Sequence, residues 1–403
     1  MNILKKLTFV LAVMALLFTY VPTSQAQEDA DSSGTVFLPL ISAGGDGTVT
    51  SADKNTEREV VSRVFSAAEQ NAALKFWTRE EIAKSQPMVM ISSVETLEPS
   101  EIQASEAEIS GPYGFSPAGL AEADADLEAQ QEFPLDWVEV EEAEEVNNGT
   151  INAAGADAID GTPGTYSTYV VNKNRKLWKL YPHRWVGRVS FRTPNGTSNC
   201  SGTAISGNVM LTAAHCLYDT TNNRWYTNVT FAPAYRSGKA PYGVFPATTC
   251  WVLTAWVNLS GNYSISTWAR HDVGVCEMGK SKGRTLNQRV GWMGREWNYP
   301  YERHVHNLGY PFRDYRDRLI PNAGKFLTTC IAETYRYATE TRGMGCNWSR
   351  GNSGGPWMAG YAVDTVRGHA SGVYSGFFIN SQNAYGARFN SNNIVPLCNS
   401  AGC

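Results

Sequence analysis

From Tyr169 onward the chain is written in short apolar runs such as Trp185 to Phe191 and Val209 to Thr212, separated by Gly, Asn and Pro. Runs of this length, rich in Val, Phe and Thr and bounded by turn residues, read as β-strands, and no long 3.6-residue periodicity interrupts them. The pattern predicts a mainly antiparallel β architecture, a barrel or a sandwich. The earlier part of the chain has a different texture. Asn71 to Met90 has helical spacing, with Leu74, Trp77, Ile82 and Ala83 able to share one apolar face. The short run Val36 to Ile41 reads as an edge strand. Residues 121–145 are an acidic run, and 146–166 hold mainly Gly, Ala, Asn and Thr, the composition of a protease-accessible linker. At the start, Lys5 and Lys6 precede an apolar stretch from Leu7 to Val21, followed by Ser24-Gln25-Ala26. This is the layout of an export signal cut after Ala26, and Thr8, Thr19 and Pro22 break the run too often for a membrane span, so stable membrane insertion is not expected.

Charge sharpens the division. The chain has 403 residues and a net charge of −4, but the sum hides two opposite halves. Residues 27–160 hold 28 Asp and Glu against 6 Lys and Arg, and residues 161–403 hold 10 against 26. Opposite fields of that size attract across a shared surface. The cations are scattered and match no nucleic-acid module. All eight cysteines, from Cys200 to Cys403, lie in the basic half. In an exported chain an even count reads as a disulfide framework, and the spacing fits neither zinc knuckles nor a CxxC redox motif.

Two segments carry chemistry: "GTAISGNVMLTAAHC", Gly202 to Cys216, and "GNSGGPW", Gly351 to Trp357. A serine hydroxyl needs an imidazole to take its proton and a carboxylate to orient that imidazole. Glycines around Ser353 let the backbone turn tightly and aim the N–H groups of Gly351 and Ser353 at one point, as an oxyanion hole requires. The third member should be an acid between His215 and Ser353. Asp272, in "ARHDVGVCEMG", is flanked by Val273 and Val275, whereas Asp219, Glu277, Glu296, Glu302, Asp314, Asp317, Glu333 and Glu340 mostly stand in charged or turn-like text. His271 is set aside because neighbours on a strand point to opposite faces. The same glycines also satisfy G-x-S-x-G of the α/β-hydrolases, with Asp364 and His369 following, but the βα units of that fold are missing.

"TAAHC" followed by "GNSGGP", with the order His, Asp, Ser, resembles the trypsin-like serine peptidases over roughly residues 185–380. "FAPAYRSGKAPYGVF" and "CNWSRGNSGGPW" are similar to the bacterial branch that includes the glutamyl endopeptidases, and "ALKFWTREEIAKSQP" is similar to the propeptides of such enzymes. The resemblance implies an all-β fold of two antiparallel six-stranded β-barrels (chymotrypsin-like), preceded by a signal peptide and an acidic prosegment. The boundaries that follow are a signal peptide over 1–26, an acidic propeptide with linker over 27–165 and a peptidase domain over 166–403. His215 would be the base, Asp272 its orienter and Ser353 the nucleophile, with Gly351 and Ser353 forming the oxyanion hole. No cofactor or metal is required, and the partners are protein or peptide substrates and the chain's own propeptide. A secreted monomer is expected.

The resemblance also implies a bridge between Cys200 and Cys216. Cys330 with Cys346, bracketing a loop before the nucleophile, and Cys250 with Cys276, bracketing the approach to Asp272, are working pairings that leave Cys398 and Cys403, among 105 possible connectivities. Asn352 stands where animal trypsins carry the aspartate that pairs with a new N-terminal amine, so activation would come from removal of the propeptide. The substrate pocket is expected at Asn347, Trp348, His369, Tyr374 and Ser375. Asn347 disfavours strict Lys/Arg selectivity, and His369 would suit glutamate in one register while another puts Tyr374 there. The competing class is a catalytically idle homologue that binds peptides.

Overall fold

The computed structural model describes residues 59–88, 111–122, 165–171, 177–259, 264–363 and 365–403. The expected export signal, the Val36 to Ile41 run, nearly all of the acidic run, the linker before Thr165, and Asp364 lie outside the described residues.

Two N-terminal stretches come first. Strand β1 (Val60–Val64) leads into helix α1 (Ala67–Phe76), helix α2 (Arg79–Lys84) and the two-residue strand β2 (Gln86–Pro87), and strand β3 (Gly114–Ser116) follows. The stretch with helical spacing, Asn71 to Met90, is thus covered by two helices that start earlier and end at Lys84. Ser66 and Glu69 form a capping box that begins α1, and the Thr78 side chain accepts from the Glu81 amide to begin α2. Each cap satisfies backbone N–H groups that a new helix leaves unpaired. The expected apolar face is also different: Ala73 and Trp77 are buried, but Leu74 is exposed.

Strand β4 (Tyr166–Val170) precedes the first barrel, formed by β5 (Val186–Thr193), β6 (Gly196–Ile205), β7 (Val209–Thr212), β10 (Thr227–Pro233), β11 (Phe245–Leu253) and β12 (Gly274–Met278), with the small hairpin β8 (Tyr218–Asp219) and β9 (Arg224–Trp225) inserted. Antiparallel pairing runs β11-β10-β5-β6-β7-β12 and closes through β11 with β12. Val189 faces Cys200 across β5 and β6, and Leu211 faces Val275 across β7 and β12. The tight β6–β7 hairpin turns on Gly207 and Asn208, both at positive φ, a backbone that matches the twist of the flanking strands.

Strand β13 (Gly294–Trp297) leads to the second barrel: β14 (His304–Gly309), β15 (Thr328–Ala338), β16 (Thr341–Gly345), β17 (Pro356–Ala359), β18 (His369–Phe377) and β19 (Asn383–Arg388). Its order is β17-β14-β15-β16-β19-β18, closed by β17 with β18. The two closed, six-stranded antiparallel rings are the chymotrypsin-like arrangement. Closure removes the unpaired edges that an open sheet exposes. Val189, Phe191, Leu211, Phe231, Phe245 and Val275 fill the first interior, and Val305, Met344, Trp357 and Tyr374 are buried in the second. Burial of each large apolar side chain contributes about 1.5–3 kcal/mol.

Four disulfides join Cys200 to Cys216, Cys250 to Cys276, Cys330 to Cys346 and Cys398 to Cys403. Cys250 and Cys276 stand directly opposite each other on β11 and β12. Among the described residues, no helix is long and apolar enough to cross a membrane.

The N-terminal stretches add strands to the barrels. β1 pairs antiparallel with Thr249–Leu253 of β11, β2 pairs parallel with β6 at Ser198 and Asn199, and β3 pairs with β13.

Candidate active site

His215 is the central residue of a short 3-10 turn (Ala214–Cys216) one residue after β7, and the Cys200–Cys216 bridge ties that turn to β6. Asp272 caps a second 3-10 turn (Ala269–His271) before β12 begins at Gly274. The two meet because β7 and β12 are paired neighbours. His215 Nδ1 lies 2.7 Å from Asp272 Oδ2, and the His215 backbone N–H donates to Oδ1 at 2.8 Å. Both residues are buried. A carboxylate on Nδ1 fixes the proton there, which leaves Nε2 as the basic atom. His215 Nε2 is buried and has no hydrogen-bond partner among the described residues.

His271 is separated from this pair, though not by strand alternation. It lies in the 3-10 turn, where Arg270 Nε donates to its Nε2 at 2.9 Å. Burial, reinforced by the Arg270 charge, pushes its pKa down to about 4, so it serves as a neutral acceptor. Several rival acids have cationic partners elsewhere: Glu296 pairs with Arg303, Asp314 with Arg318, Asp317 with Arg350 and Asp219 with Arg224.

Ser353 sits in the loop between β16 and β17. Ser201 ties that loop to the first barrel: its amide donates to Ser353 O at 2.7 Å, its hydroxyl donates to Gly351 O at 2.8 Å, and the Tyr310 amide donates to the same hydroxyl at 2.8 Å. Gly354 has φ +77, and a Cβ there would come within 2.1 Å of Thr212 Oγ1 and 2.5 Å of Ser201 O. Gly351 has φ +89, with Phe312 Cδ2 at 2.7 Å from a would-be Cβ. Non-glycine residues are strained at such φ, so the loop depends on these two glycines. The amides of Asn352, Gly354 and Gly355 donate to Ser349 O, Tyr374 O and Asn352 O. Those of Gly351 and Ser353 donate to no partner among the described residues. Two unpaired N–H groups flanking a serine are what a developing oxyanion needs.

The expected pocket residues fall into three places. Tyr374 and Ser375 adjoin the Ser353 loop, since Tyr374 exchanges backbone bonds with Gly354 and Gly355 at 2.8 and 2.9 Å. Tyr374 is buried and its hydroxyl donates to Trp348 O at 3.3 Å. Asn347 and Trp348 line a cavity of about 400 Å³ with Val170, Tyr315, Leu319 and Ile320. His369 is at the opposite end of β18, paired with Ala359 and Gly294 and packed edge-on against Phe115. The register that puts Tyr374 rather than His369 beside the loop is the observed one. Asn352 is buried and its side-chain amide donates to Asn307 Oδ1.

Sequence reasoning did not single out Ser201, Phe312 or Arg350. Arg350, within the loop three residues before Ser353, grips Asp317, with one arm at 2.9 Å. Only the position of Ser201 beside Cys200 could have hinted at a role. Cys200, His215 and Cys216 bring three potential metal-ligand atoms close together, but both sulfurs are joined in a disulfide and offer no thiolate.

No family model matches the chain. The glutamyl endopeptidase of Bacillus licheniformis is 27% identical over 209 residues, 49% of this chain and 57% of that protein. The extracellular metalloprotease of Bacillus subtilis strain 168 is 28% identical over 116 residues, 28% of this chain and 33% of that protein. The chain therefore spans less than two thirds of the length of these curated relatives. Among solved structures, the protease Anisep from Arthrobacter nicotinovorans is 28% identical with a TM-score of 0.47, covering 55% of this chain and 96% of its own. A Glu endopeptidase in complex with MPD is 18% identical with a TM-score of 0.47, covering 59% and 97%. The chain thus combines two closed six-stranded antiparallel barrels, the chymotrypsin-like arrangement, with sequence similarity to a glutamyl endopeptidase.

Proposed function

We propose that the protein is a secreted serine endopeptidase, made as a precursor, in which His215, Asp272 and Ser353 form the catalytic triad. The observation that carries this reading is the buried His215–Asp272 pair, joined at 2.7 Å with Nε2 left unpaired. In the proposed reaction, Ser353 Oγ bonds to the carbonyl carbon of the scissile peptide as its proton passes to His215 Nε2. The carbonyl electron pair moves onto oxygen, where the Gly351 and Ser353 amides receive it. Nε2 then returns the proton to the departing amine, leaving an acyl-enzyme, and water repeats the sequence to release the acid. Asp272 holds the tautomer and stabilises the imidazolium without taking the proton.

The precursor state is supported by the acidic N-terminal half and the Gly- and Ala-rich linker. Selectivity for glutamate is a finer proposal, supported by the name of one relative. With His369 set against Phe115, it would rest on neutral donors; Ser375 Oγ is buried beside the nucleophile loop, without a partner among the described residues.

The experiment is hydrolysis of a mixed peptide library by the secreted protein and by Ser353→Ala, with N-terminal sequencing of both. The proposal expects cleavage that disappears in the variant, with cuts after glutamate if the finer reading holds. Cleavage that persists in Ser353→Ala would overturn the serine mechanism, and a folded, processed protein that cuts nothing would favour the peptide-binding homologue.

A further inference from the structure

The cavity that Asn347 and Trp348 line has apolar walls, Val170, Pro311, Leu319, Ile320 and Phe326, and its volume of about 400 Å³ is within the range that holds small ligands. Two of its polar atoms are unsatisfied. Trp348 is only 5% exposed, yet its indole Nε1 has no partner among the described residues, and the buried Asn347 Oδ1 has none either. Leaving such atoms unpaired costs free energy, and nearly all buried polar atoms in folded proteins are paired. The charged groups of the lining are occupied with each other. Asp314 Oδ2 accepts from Arg318 Nη2 at 2.6 Å and from its Nε at 2.8 Å, and Asp314 Oδ1 accepts from the Arg316 and Arg318 amides at 2.9 Å.

A ligand that completes this lining must accept from Trp348, donate to Asn347 and carry no charge. A carboxylate has no proton for Oδ1, and an ammonium has no acceptor for the indole N–H. A carboxamide presents both groups in one plane. We propose that the cavity binds a short apolar body ending in a carboxamide, with the amide held by Trp348 Nε1 and Asn347 Oδ1 and the body against Leu319 and Ile320.

Occupancy bears on the Ser353 loop through the backbone. Residues 312–315 border the cavity and are laced to 347–350: the Tyr315 amide donates to Asn347 O at 2.9 Å, the Ser349 amide to Arg313 O at 2.9 Å and the Phe312 amide to Arg350 O at 2.7 Å. Phe312 in turn packs against Gly351, one of the two proposed oxyanion donors. The same carboxamide chemistry can arrive as a free small amide or as the glutamine side chain of a peptide substrate. The effect on cleavage rests on the peptidase reading, whereas binding does not.

The test is calorimetric titration of the full chain in a Ser353→Ala background with benzamide, and with benzoate and benzylamine as its charged counterparts. Benzamide should bind saturably and raise the melting temperature, as a ligand of the folded state does, and the two charged probes should not. Trp348→Phe, which keeps a ring but loses the N–H, should weaken benzamide about tenfold, and Ile320→Trp, which fills the cavity, should abolish binding. If Ile320→Trp is not secreted, Trp348→Phe at unchanged melting temperature decides the matter. Benzoate binding as tightly as benzamide, no benzamide binding, or benzamide binding that neither variant alters would overturn the proposal. Steady-state kinetics of the active protein then separates the two sources. A free-amide site changes kcat at constant KM, whereas a substrate subsite gives competitive inhibition by benzamide and faster cleavage of glutamine-containing peptides. Saturation that leaves both constants unchanged would overturn the link to the Ser353 loop. A protein that binds benzamide but cleaves nothing leaves the cavity assignment standing, and the peptidase reading is the one that fails.

Discussion

His215 and Asp272 come from one barrel already joined at 2.7 Å, whereas the loop carrying Ser353, contributed by the other barrel, keeps two amides without partners among the described residues. The pair is positioned by strand adjacency, a disulfide and burial, and it satisfies its polar atoms internally except for Nε2. The loop is positioned by positive-φ glycines and by Ser201 reaching across from the first barrel. One region pairs nearly all of its polar atoms within the fold; the other leaves two donors unpaired among the described residues, and the proposed mechanism gives them to the reacting oxygen. Under the proposed mechanism the two must fail differently when altered.

The largest effect tests whether both regions serve one reaction. His215→Ala and Ser353→Ala should each lower kcat by about 10⁶-fold, and the double variant should be no worse, because groups acting as a unit are not additive. Steady-state kinetics on a peptide substrate checks this, and a clearly additive double variant would separate the regions. Asp272→Asn comes next, with a loss of about 10⁴-fold from the wrong imidazole tautomer and an unchanged melting temperature. A smaller loss is expected in the loop. Gly351→Ala forces an L-residue to φ +89 and against Phe312; disturbing one oxyanion donor should cost kcat about 10²–10³-fold while KM changes little.

The fourth prediction concerns stability rather than rate. Burial pushes His183, His271 and His306 down to about 4, with the Arg270 charge adding at His271 and the neighbouring histidines at His306. A histidine whose folded pKa is below the unfolded value near 6.5 is neutral in the fold, so the unfolded chain binds more protons as pH falls. That stability is fully present above about pH 6.5 and is lost as pH falls toward 4. Melting temperature should therefore drop through this window, and less steeply in His306→Phe, which can keep the stack that His306 makes on Tyr361 at 3.8 Å. A flat profile between pH 7 and 4 would contradict it.

The β architecture was legible because closed barrels need short, turn-bounded strands, and the two motif segments mark where the turns must be tight. Helix boundaries were less so: apolar spacing suggested Asn71 to Met90, but the Ser66–Glu69 capping box and the Thr78 cap decide where α1 and α2 begin. His369 illustrates a second limit. Its relation to Ser353 depends on the register of β18, including the irregularity between Tyr374 and Gly376, and no local signal encodes that register. Ser201 was invisible for a related reason, since its partner Gly351 lies 150 residues away in sequence.

The central claim is that Ser353 is made nucleophilic by His215. Its most direct test is labelling of the folded protein with a serine-directed phosphonylating reagent, followed by peptide mass mapping. The account predicts a single adduct on the peptide that contains Ser353, formed rapidly in wild type and lost in His215→Ala at unchanged melting temperature. An adduct on another serine, or equal labelling of Ser353 without His215, would contradict it.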